Sequence, residues 1–444
     1  MARLFGTDGI RGVAGTELTA ELARDVGRAL VCVLGKSEGT RVLIGMDTRA
    51  SSDWLGDAIS DGICSMGADA AILGVCSTPA VAYLVKKHGY DAGVMISASH
   101  NPYEYNGIKI FGGDGFKLSD AMEDEIELLV GKLSDTCKRG SVIDMRCGVD
   151  EYLEYLKGSF GVSLQGLNIG IDCANGSASV TAERLFTGLG AKCTVLSATP
   201  DGTNINRGCG STHLDNLREL VTSEGLDLGI AFDGDADRCL AIDAQGNDID
   251  GDYIMAILGL WMKRRGELYD DMIVGTVMSN LGFRKFCEAN GLGFFAAKVG
   301  DRYVLEKMNE CGYSLGGEQS GHLIIKKLAT TGDGQLTAVA LLSCIKESGK
   351  SLSALATVMK KYPQYMVNIH ADPREKELFK TDSVITGLIG EAEKRLENTG
   401  RLLIRPSGTE PLIRIMAEGE ELSEITELCN TLAEKISARL QQLK

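Results

Sequence analysis

The sequence predicts an α/β protein of several domains. Apolar runs of strand length alternate with longer stretches of helical periodicity through most of the chain. The length of 444 residues predicts about three domains, with two or four allowed. Glycine is abundant, at 55 residues, and proline is scarce, at 7, which indicates tight loops between the elements rather than disordered linkers.

Three stretches share one order of elements: an apolar strand, a small or polar turn, and a helix. We interpret this order as three related α/β units, with chance likeness between ordinary strand–helix pairs as the alternative. A helix at 18–34 precedes the first unit. The strands are centred near residues 43, 169 and 274, and the helices that follow them span 54–66, 178–189 and 283–289.

The composition changes after Pro363. The chain beyond it is predicted to form a separate, smaller α+β domain. Its predicted strands are 364–370, 401–405 and 412–417, and its predicted helices are 388–398 and 422–443.

Charge and composition exclude several classes of protein. The formal charge of 46 − 61 = −15 argues against a nucleic-acid binder, so a phosphate site must be built from locally clustered cations and N–H groups. The 13 cysteines include no C-x-x-C pair, which favours reduced thiols in the cytosol over a disulfide framework or a zinc site. Neither a signal peptide nor an apolar run of about 20 residues is visible, so we expect a cytoplasmic protein without a membrane partner.

The stretch from Ala92 to Phe111 combines two predicted strands with the polar turn Ser97-Ala98-Ser99-His100-Asn101-Pro102. A serine at the tip of a strand, with His100 beside it and Lys109 on the next strand, could carry a transferable group. The alternative is an ordinary polar turn. A serine hydrolase is disfavoured, because no G-x-S-x-G elbow occurs and because Ser99 and His100 would point in different directions on an extended chain.

Three aspartates follow the apolar run 226–232, in Asp233-Gly234-Asp235-Ala236-Asp237-Arg238. Carboxylates at alternate positions can converge on one hard cation. A calcium loop of the EF-hand type is excluded, because Arg238 stands where glycine is needed and Ala244 where glutamate is needed. We expect Mg²⁺, which suits phosphate chemistry. The alternative, a solvated acidic turn, is disfavoured by repulsion between the carboxylates.

Two further polar stretches, at 248–252 and 316–322, contain carboxylates. Asp248, Asp250 and Asp252 lie in a predicted hairpin and are interpreted as structural. In Gly316-Gly317-Glu318-Gln319-Ser320-Gly321-His322, the carboxylate could accept from two sugar hydroxyls and the imidazole could shuttle a proton. The alternative for this second stretch is a tight hairpin turn between two short strands.

A candidate anion site lies near the C-terminus, in Arg405-Pro406-Ser407-Gly408-Thr409-Glu410-Pro411 with Arg414 soon after. Two hydroxyls, a glycine N–H and two guanidinium groups can cradle a phosphate. The alternative is a turn whose arginines pair with acidic surface groups. Arg11, in a glycine-rich loop at 5–12, and Lys298, in 298–302, add cations, although each could belong to a plain surface turn.

Together these motifs resemble the α-D-phosphohexomutase superfamily, in its branch of bacterial phosphoglucosamine mutases. The opening string and the GEQSGH loop are similar to those of the glucosamine branch. The strings occur in the order expected for the superfamily: FGTDGIRG at 5–12, ISASHNP at 96–102, DGDADR at 233–238, KVGDRY at 298–303, GEQSGH at 317–322 and RPSGTEP at 405–411.

The resemblance implies four domains around a central cleft, three related mixed-sheet α/β units and a smaller C-terminal α+β domain. Their expected bounds are 1–149 with the phosphoserine loop, 150–250 with the metal loop, 251–363 with the sugar loop, and 364–444 with the phosphate site. It also implies the interconversion of glucosamine 6-phosphate and glucosamine 1-phosphate, on the route to UDP-N-acetylglucosamine. Glucosamine 1,6-bisphosphate or glucose 1,6-bisphosphate would be the intermediate or activator.

Roles for individual residues follow from the resemblance. Ser99 would carry the phosphoryl group, and Mg²⁺ would be bound by Asp233, Asp235 and Asp237 together with the Ser99 phosphate. The reaction centre would also contain His100, Lys109, Arg238 and His322, with Lys109 or His322 as the acid and base. The substrate-binding residues would be Arg11, Lys298, Glu318, Ser320, Arg405, Ser407, Gly408, Thr409 and Arg414.

Three other functions stay open from the sequence. The first is a mutase for glucose or mannose phosphates, which shares the core motifs. The second is a phosphatase that forms an aspartyl phosphate, because Asp233-Gly234-Asp235 resembles a D-x-D pair. The third is a sugar-phosphate sensor without catalysis. For the mutase, the expected partner is a small sugar phosphate, with neither nucleic acid nor membrane, and a homodimer stays open.

Overall fold

Four β-sheets with flanking helices make up the chain in the computed structural model. The model describes residues 3–6, 8–35, 39–136, 138–397, 399–407 and 410–443. The described residues up to Met278 pack with Gly291–Val358 into one unit that contains three of the sheets. Ser279–Asn290 and the residues from Met359 onward form a second unit, which contains the fourth. No helix in the described ranges has the length and apolar character needed to cross a bilayer.

The first sheet has seven strands in the order β1-β2-β6-β5-β3-β4-β7. Its central strands are apolar and buried because helices cover them. The strands are β1 (Phe5–Gly6), β2 (Gly9–Val13), β3 (Arg41–Met46), β4 (Asp69–Val75), β5 (Ala92–Ile96), β6 (Tyr105–Gly112) and β7 (Val142–Asp144). The helices are α1 (Ala20–Val33), α2 (Ser52–Ser65), α3 (Thr78–His88) and α4 (Asp120–Leu129).

The second sheet has five strands in the order β12-β11-β10-β8-β9. Its elements are α5 (Gly148–Gly158), β8 (Asn168–Asp172), α6 (Ala182–Gly188), β9 (Lys192–Leu196), α7 (Asp215–Glu224), β10 (Leu228–Phe232), β11 (Cys239–Asp243) and β12 (Asp248–Ile249). Short 3₁₀ turns lie at Ser177–Val180 and Gly210–Thr212. Asp248 pairs with Arg218 at 2.7 Å and Asp250 caps the next helix by accepting from the Tyr253 N–H, so both carboxylates are structural, as predicted.

The third sheet has four strands in the order β14-β13-β15-β16. Its elements are α8 (Gly251–Arg264), β13 (Met272–Thr276), α9 (Leu281–Ala289), β14 (Gly293–Ala297), α10 (Asp301–Cys311), β15 (Leu315–Gly317), β16 (Leu323–Ile325), α11 (Gly334–Ser348) and α12 (Leu352–Ala356). A 3₁₀ turn lies at Tyr269–Asp271. By its packing, α9 belongs to the second unit.

These three sheets repeat one topology. In each, four strands lie in the order second, first, third, fourth; the first three are parallel and the fourth is antiparallel. The four-strand sets are β4-β3-β5-β6, β9-β8-β10-β11 and β14-β13-β15-β16. The first strands are the three centred near residues 43, 169 and 274, so the interpretation of three related α/β units is confirmed.

The repeated topology determines where the functional loops lie. The connection from the third to the fourth strand spans 97–104 in the first sheet, 233–238 in the second and 318–322 in the third. These are the loops that contain the candidate phosphoserine, the three aspartates and the Glu318–His322 motif. Three motifs that are far apart in the sequence therefore occupy the same position in three related units.

The fourth sheet is antiparallel, in the order β17-β19-β18, and is covered by helices on an apolar core. This confirms the smaller α+β domain at the C-terminus. A helix that the sequence did not predict begins at Pro373, where Asp372 and Glu375 form a capping box. The elements are β17 (Gln364–His370), α13 (Pro373–Thr381), α14 (Ser383–Arg395), β18 (Gly400–Pro406), β19 (Leu412–Gly419) and α15 (Leu422–Gln442).

Candidate active site

Ser99 lies just after β5 in an unusual backbone conformation. Its φ is +53°, in the left-handed region that is unfavourable for residues other than glycine and asparagine. The side chain is buried, and Oγ donates to Asp233 Oδ2 at 2.6 Å. His100 Nδ1 lies 3.4 Å from the same Oγ. The expectation that Ser99 and His100 point in different directions is therefore wrong, because Ser99 is not in an extended conformation.

The three aspartates of the 233–238 loop converge as predicted. Ligand oxygens of Asp233, Asp235 and Asp237 lie within 4.8 Å of one another, and all three residues are buried. We call residues 97–104 the serine loop and residues 233–238 the aspartate loop. Gly234 allows the two loops to approach each other, because a Cβ at this position would lie 2.5 Å from the Ser99 carbonyl oxygen. The glycine in the D-G-D string is thus explained by a backbone contact between two repeats.

The environments of the aspartates differ. Burial, together with repulsion from Asp237 and Asp235, raises the pKa of Asp233 well above its ordinary value. Burial would also raise the pKa of Asp235, but Lys109 outweighs it and lowers that pKa to about 2. Asp235 Oδ1 and Asp237 Oδ1 are buried without a hydrogen-bond partner among the described residues. Buried carboxylate oxygens left without donors suit a hard divalent cation.

Lys109 occupies the centre of this charge cluster. Its Nζ lies 2.8 Å from Asp235 Oδ2, 3.0 Å from Asp8 Oδ2 and 3.4 Å from Asp237 Oδ2. Burial alone would lower the pKa of Lys109, but the three carboxylates outweigh it and raise that pKa well above its ordinary value. The ammonium group is therefore protonated and has a carboxylate facing each of its three donors.

A chain of alternating charges continues from Lys109 toward the third repeat. Lys117 Nζ bridges Asp8 and Asp301, and Asp301 Oδ2 lies 3.7 Å from His322 Nε2. Burial would raise the pKa of Asp301, but Lys117 outweighs it and lowers that pKa. Side chains from the first and third of the related α/β units thus belong to one network of ion pairs.

The remaining predicted catalytic groups border the same cluster. Arg238 Nε lies 3.9 Å from both Asp233 Oδ2 and Asp237 Oδ1. Neither ring nitrogen of His322 has a hydrogen-bond partner within the described part of the chain. Burial, followed by the charges of Arg238 and Arg11, lowers the pKa of His100 to about 4, so this imidazole is neutral at neutral pH.

The 317–322 stretch is a hairpin between β15 and β16, and this hairpin brings His322 to the cluster. The alternative of a hairpin turn is therefore confirmed, and the sugar-binding and proton-transfer roles of this stretch stay predictions. Glu318 Oε1 accepts from the Gly300 N–H at 3.1 Å, and Ser320 Oγ is buried without a hydrogen-bond partner in the described ranges. Arg11 pairs with Asp8, whereas Lys298 is exposed, with its Nζ 5.5 Å from the centre of the Tyr303 ring.

The fourth sheet contains the predicted arginines. Arg405 on β18 and Arg414 on β19 lie directly opposite each other in the antiparallel register. Burial and the charge of Arg414 lower the pKa of Arg405. Ser407 Oγ accepts from the Glu410 N–H at 3.2 Å, and Lys376 Nζ donates to the Ser407 carbonyl at 2.6 Å. Gly408 and Thr409 lie outside the described residues.

Several residues around the sites were not predicted. Asp8 and Asp301 lie in the strings FGTDGIRG and KVGDRY, but the sequence predicted a functional role only for the cations Arg11 and Lys298 in those strings. Thr78, at the start of α3, donates from Oγ1 to Asp235 Oδ2 at 2.5 Å, and no sequence signal marks it. Arg49, Asn206 and Lys376 likewise contact functional loops from distant positions in the chain.

Models of one family match the chain along most of its length. They are described as phosphoglucomutase/phosphomannomutase alpha/beta/alpha domain I, domain II, domain III and C-terminal domain. The residues matched are 2–136, 150–246, 250–362 and 357–435, respectively.

Curated relatives carry a more specific name than the family models. The phosphoglucosamine mutase of Clostridium novyi is 50% identical over 99% of both chains. That of Caldicellulosiruptor bescii is 51% identical over 99% of this chain and all of its own.

Solved structures share the fold at lower identity. A phosphoglucomutase/phosphomannomutase family protein from Burkholderia thailandensis has a TM-score of 0.83 at 23% identity, covering 99% of this chain and 98% of its own. The N-acetylphosphoglucosamine mutase of Aspergillus fumigatus, solved with GlcNAc-6P and magnesium, has a TM-score of 0.68 at 17% identity, covering 98% and 95%. The chain belongs to the phosphoglucomutase/phosphomannomutase family, in the branch whose curated members are phosphoglucosamine mutases.

Proposed function

We propose that the protein interconverts glucosamine 6-phosphate and glucosamine 1-phosphate through a phosphoserine at position 99 and a bisphosphorylated sugar. One observation supports this most strongly. The equivalent loops of three related sheets bring Ser99, three aspartates and His322 into one buried cluster around Lys109. Such a cluster can hold a phosphoryl group, neutralise its charge and move a proton, which together are the requirements of phosphoryl transfer.

The metal proposed for this site is Mg²⁺, held by Asp233, Asp235 and Asp237 together with the Ser99 phosphate. The donor set fits, because two of the carboxylate oxygens are buried without a donor in the described residues. When bound, the ion supplies positive charge that stabilises the transferring phosphoryl group. Arg238, 3.9 Å from two of these carboxylates, adds a fixed positive charge on the same side of the cluster.

The proposed step exchanges one P–O bond for another. A free hydroxyl of the sugar phosphate attacks phosphorus while its proton passes to a base, and the bond from phosphorus to Ser99 Oγ breaks. The leaving Oγ takes up a proton, so that in net terms the proton lost by the sugar hydroxyl is gained by the Ser99 hydroxyl. We favour His322 as that base, because its ring nitrogens are not engaged by donors or acceptors among the described residues, whereas Lys109 faces three carboxylates. In the reverse sense, Oγ gives up its proton and accepts the other phosphoryl group of the bisphosphorylated sugar, and the sugar oxygen that is released takes up a proton.

Substrate binding is assigned to groups outside this cluster. We propose that Glu318 and Ser320 bind sugar hydroxyls, and that Arg11 and Lys298 contribute positive charge. A phosphate of the sugar would be bound by Arg405, Ser407, Gly408, Thr409 and Arg414. The buried Ser320 Oγ, which has no hydrogen-bond partner among the described residues, supports the first assignment, and two arginines opposite each other on neighbouring strands support the last.

The activity is proposed for the cytoplasm, on the route to UDP-N-acetylglucosamine. Every cysteine within the described ranges is a free thiol, as in proteins of the reducing cytosol.

The decisive experiment is a coupled assay on glucosamine 6-phosphate with Mg²⁺ and a trace of glucose 1,6-bisphosphate. We expect glucosamine 1-phosphate from the wild type, and a loss of at least about 10⁴-fold in kcat for Ser99→Ala, because removal of a covalent nucleophile has effects of this order. Ser348→Ala, at the exposed end of α11, is the control and should behave as the wild type. Undiminished turnover by Ser99→Ala would refute the phosphoserine.

Phosphopeptide mapping separates this proposal from a phosphatase. After incubation with glucose 1,6-bisphosphate, the phosphate should be found on Ser99. Phosphate on Asp233 would instead favour an aspartyl-phosphate phosphatase, and binding of sugar phosphate without any turnover would favour a sensor.

A second candidate is a mutase for glucose or mannose phosphates, which the description of the matching family model favours. Comparison of kcat/KM for the amino sugar and the two hydroxyl sugars tests it. We expect the highest value for glucosamine 6-phosphate, and a higher value for either hydroxyl sugar would reverse the assignment.

A further inference from the structure

Arg49 is one of the largest fully buried side chains of the protein, and the reaction described above does not use it. A guanidinium group has five N–H donors. Nε donates to Asp47 Oδ2 at 2.8 Å, and the other four donors reach backbone carbonyls of the serine loop and of the first residue of β6. Those carbonyls belong to Ser99 and Asn101, both 2.9 Å from Nη2, and to Pro102 and Tyr105, which accept from Nη1.

Asn206, from the second repeat, holds two of the same carbonyls. Its Nδ2 donates to the Ser99 carbonyl at 2.9 Å and to the Asn101 carbonyl at 3.1 Å. We call Arg49 and Asn206 together the carbonyl clamp. The clamp joins two repeats through the backbone on either side of His100, and it does so at a point where Gly234 packs against the Ser99 carbonyl.

The amide side of Ser99 is held by the same network. The Ser99 N–H donates to Ser97 Oγ at 2.9 Å, and Ser97 Oγ donates to Asp47 Oδ2 at 2.7 Å. Asp47 Oδ2 is also the acceptor for Arg49 Nε. Both backbone polar groups of Ser99 are therefore fixed, and the left-handed conformation is maintained by buried hydrogen bonds.

We propose that Arg49 and Asn206 are positioning residues for phosphoryl transfer, acting through the Ser99 backbone. This role rests on the proposed function. The clamp holds the Ser99 backbone so that Oγ faces Asp233, and this fixes the orientation of a phosphoryl group on Oγ. A small misplacement of a reacting group can cost about 100-fold in rate, whereas sugar contacts made elsewhere are unaffected. Loosening the clamp should therefore lower kcat and leave KM unchanged.

Asn206→Gly is the cleanest variant. The φ of Asn206 is +57°, which glycine adopts without strain, so the substitution removes the amide donor and preserves the backbone. Asn175→Gly is the matched control, because Asn175 also has a positive φ, of +48°, and its Nδ2 contacts the Asn204 carbonyl at 3.4 Å instead of the serine loop. Arg49→Lys is a second variant that keeps the charge but has three donors where five are used.

The readout separates positioning from general stability. Ser99 is first phosphorylated with glucose 1,6-bisphosphate, and the phosphoserine is then followed after addition of glucosamine 6-phosphate or of buffer alone. For Asn206→Gly we expect kcat and the transfer rate to the sugar to fall about 100-fold with KM unchanged. The rate of phosphoserine hydrolysis in buffer should fall less than the rate of transfer to the sugar, so that the variant loses a larger share of its phosphate to water. Asn175→Gly should match the wild type.

Three results would overturn the proposal: a wild-type kcat for Asn206→Gly, an equal loss for Asn175→Gly, or a raised KM with unchanged kcat. Arg49→Lys should change the rates in the same direction as Asn206→Gly; if it does not fold, Asn206→Gly decides.

A wild-type protein without mutase activity on any hexose phosphate would remove the proposed function, and the positioning role with it. Normal wild-type activity with a fully active Asn206→Gly would remove the positioning role alone.

Discussion

The cluster around Ser99 and the arginine pair of the fourth sheet handle charge in opposite ways. In the cluster, buried Lys109 faces three carboxylates at 2.8–3.4 Å, and opposite charges alternate through Lys117 as far as Asp301. In the fourth sheet, Arg405 and Arg414 lie opposite each other on neighbouring strands, and Arg414, whose side chain is 34% exposed, also pairs with Glu410. In the first region a buried cation is surrounded by carboxylates, whereas in the second Arg405 lies opposite another arginine.

This contrast indicates a division of labour. Buried, mutually satisfied charges fix the geometry of reacting atoms, so changes there should act mainly on kcat. Half-exposed like charges are less stable without an anion than with one, so changes there should act mainly on the affinity for the phosphate. The first three of the following predictions test that division, and the last pair tests the contrast between a buried and a partly exposed carboxylate at two helix caps.

Removal of divalent cations should have the largest effect. Because the three carboxylates would lose their counter-ion and the phosphoryl group its electrostatic stabilisation, we expect kcat to fall by at least about 10³-fold after treatment with EDTA. Added Mg²⁺ should restore the rate and raise the melting temperature relative to the metal-free protein. Full activity in EDTA would contradict the metal site.

Gly234→Ala should have the next largest effect. The new Cβ would lie 2.5 Å from the Ser99 carbonyl oxygen, so the aspartate loop and the serine loop must move apart. We expect kcat to fall about 100-fold because the reacting groups separate, with a loss of about 1–3 kcal/mol of stability from overpacking. Steady-state kinetics and thermal unfolding measure the two effects.

Gly158→Ala is the control for this change, because an added Cβ at Gly158, in α5, meets no atom within 4 Å. It should leave kcat unchanged and should not destabilise the protein. Equal effects of the two substitutions would show that the contact between the loops is not what Gly234 provides.

The sequence predicted the three related units, with chance likeness as the alternative, and it identified the motifs that the structure places between the third and fourth strands. Apolar runs identified the first strand of each unit, and further apolar runs precede the serine motif and the three aspartates. The conformation of the serine loop was not predictable in this way. An apolar run that ends in S-A-S-H gives no sign that Ser99 is left-handed, because that conformation depends on Arg49 and Asn206, which are distant in the sequence.

The same limit explains the site residues that were missed. Asp8 and Asp301 are visible as charged residues, but their role depends on Lys117, which bridges them across two repeats. Local patterns report periodicity and turn chemistry, whereas a buried ion network depends on tertiary packing. The cations of the fourth sheet were easier to identify, since Arg405 and Arg414 flank one turn and their strands pair directly.

Arg405→Met tests the other side of the comparison. Loss of one charged contact to phosphate typically costs about 1.5–3 kcal/mol, so KM should rise about 10- to 100-fold while kcat changes little. Because burial and Arg414 already disfavour the charged form of Arg405, the ligand-free protein should lose no stability. Steady-state kinetics and melting temperatures test both statements.

Arg439→Met is the control, since Arg439 pairs with Asp382 at 2.8 Å and is not assigned to phosphate binding. It should leave KM unchanged. A kcat effect of Arg405→Met without a change in KM would break the proposed division between the two regions.

Asp333→Asn should have a smaller effect, on stability rather than catalysis. Asp333 caps α11, is 2% exposed, and its pKa is raised by burial to about 6. A carboxyl whose pKa is raised in the folded state stabilises the fold at low pH and loses that contribution as pH rises from about 4 to about 6. Asparagine caps equally well and does not ionise. The variant should therefore match the wild type near pH 4 and exceed it by about 2–3 kcal/mol at pH 7.

Asp382→Asn should show the opposite sign in the second unit. Asp382 caps α14 in the same way, but hydrogen bonds from Arg439 and the Ile385 N–H lower its pKa. Its contribution is present at neutral pH and is lost as pH falls through the lowered pKa. The variant should be less stable than the wild type at pH 7, with the difference shrinking toward low pH. Urea unfolding of both variants across this range tests the pair, and slopes of the same sign would show that burial does not distinguish the two helix caps.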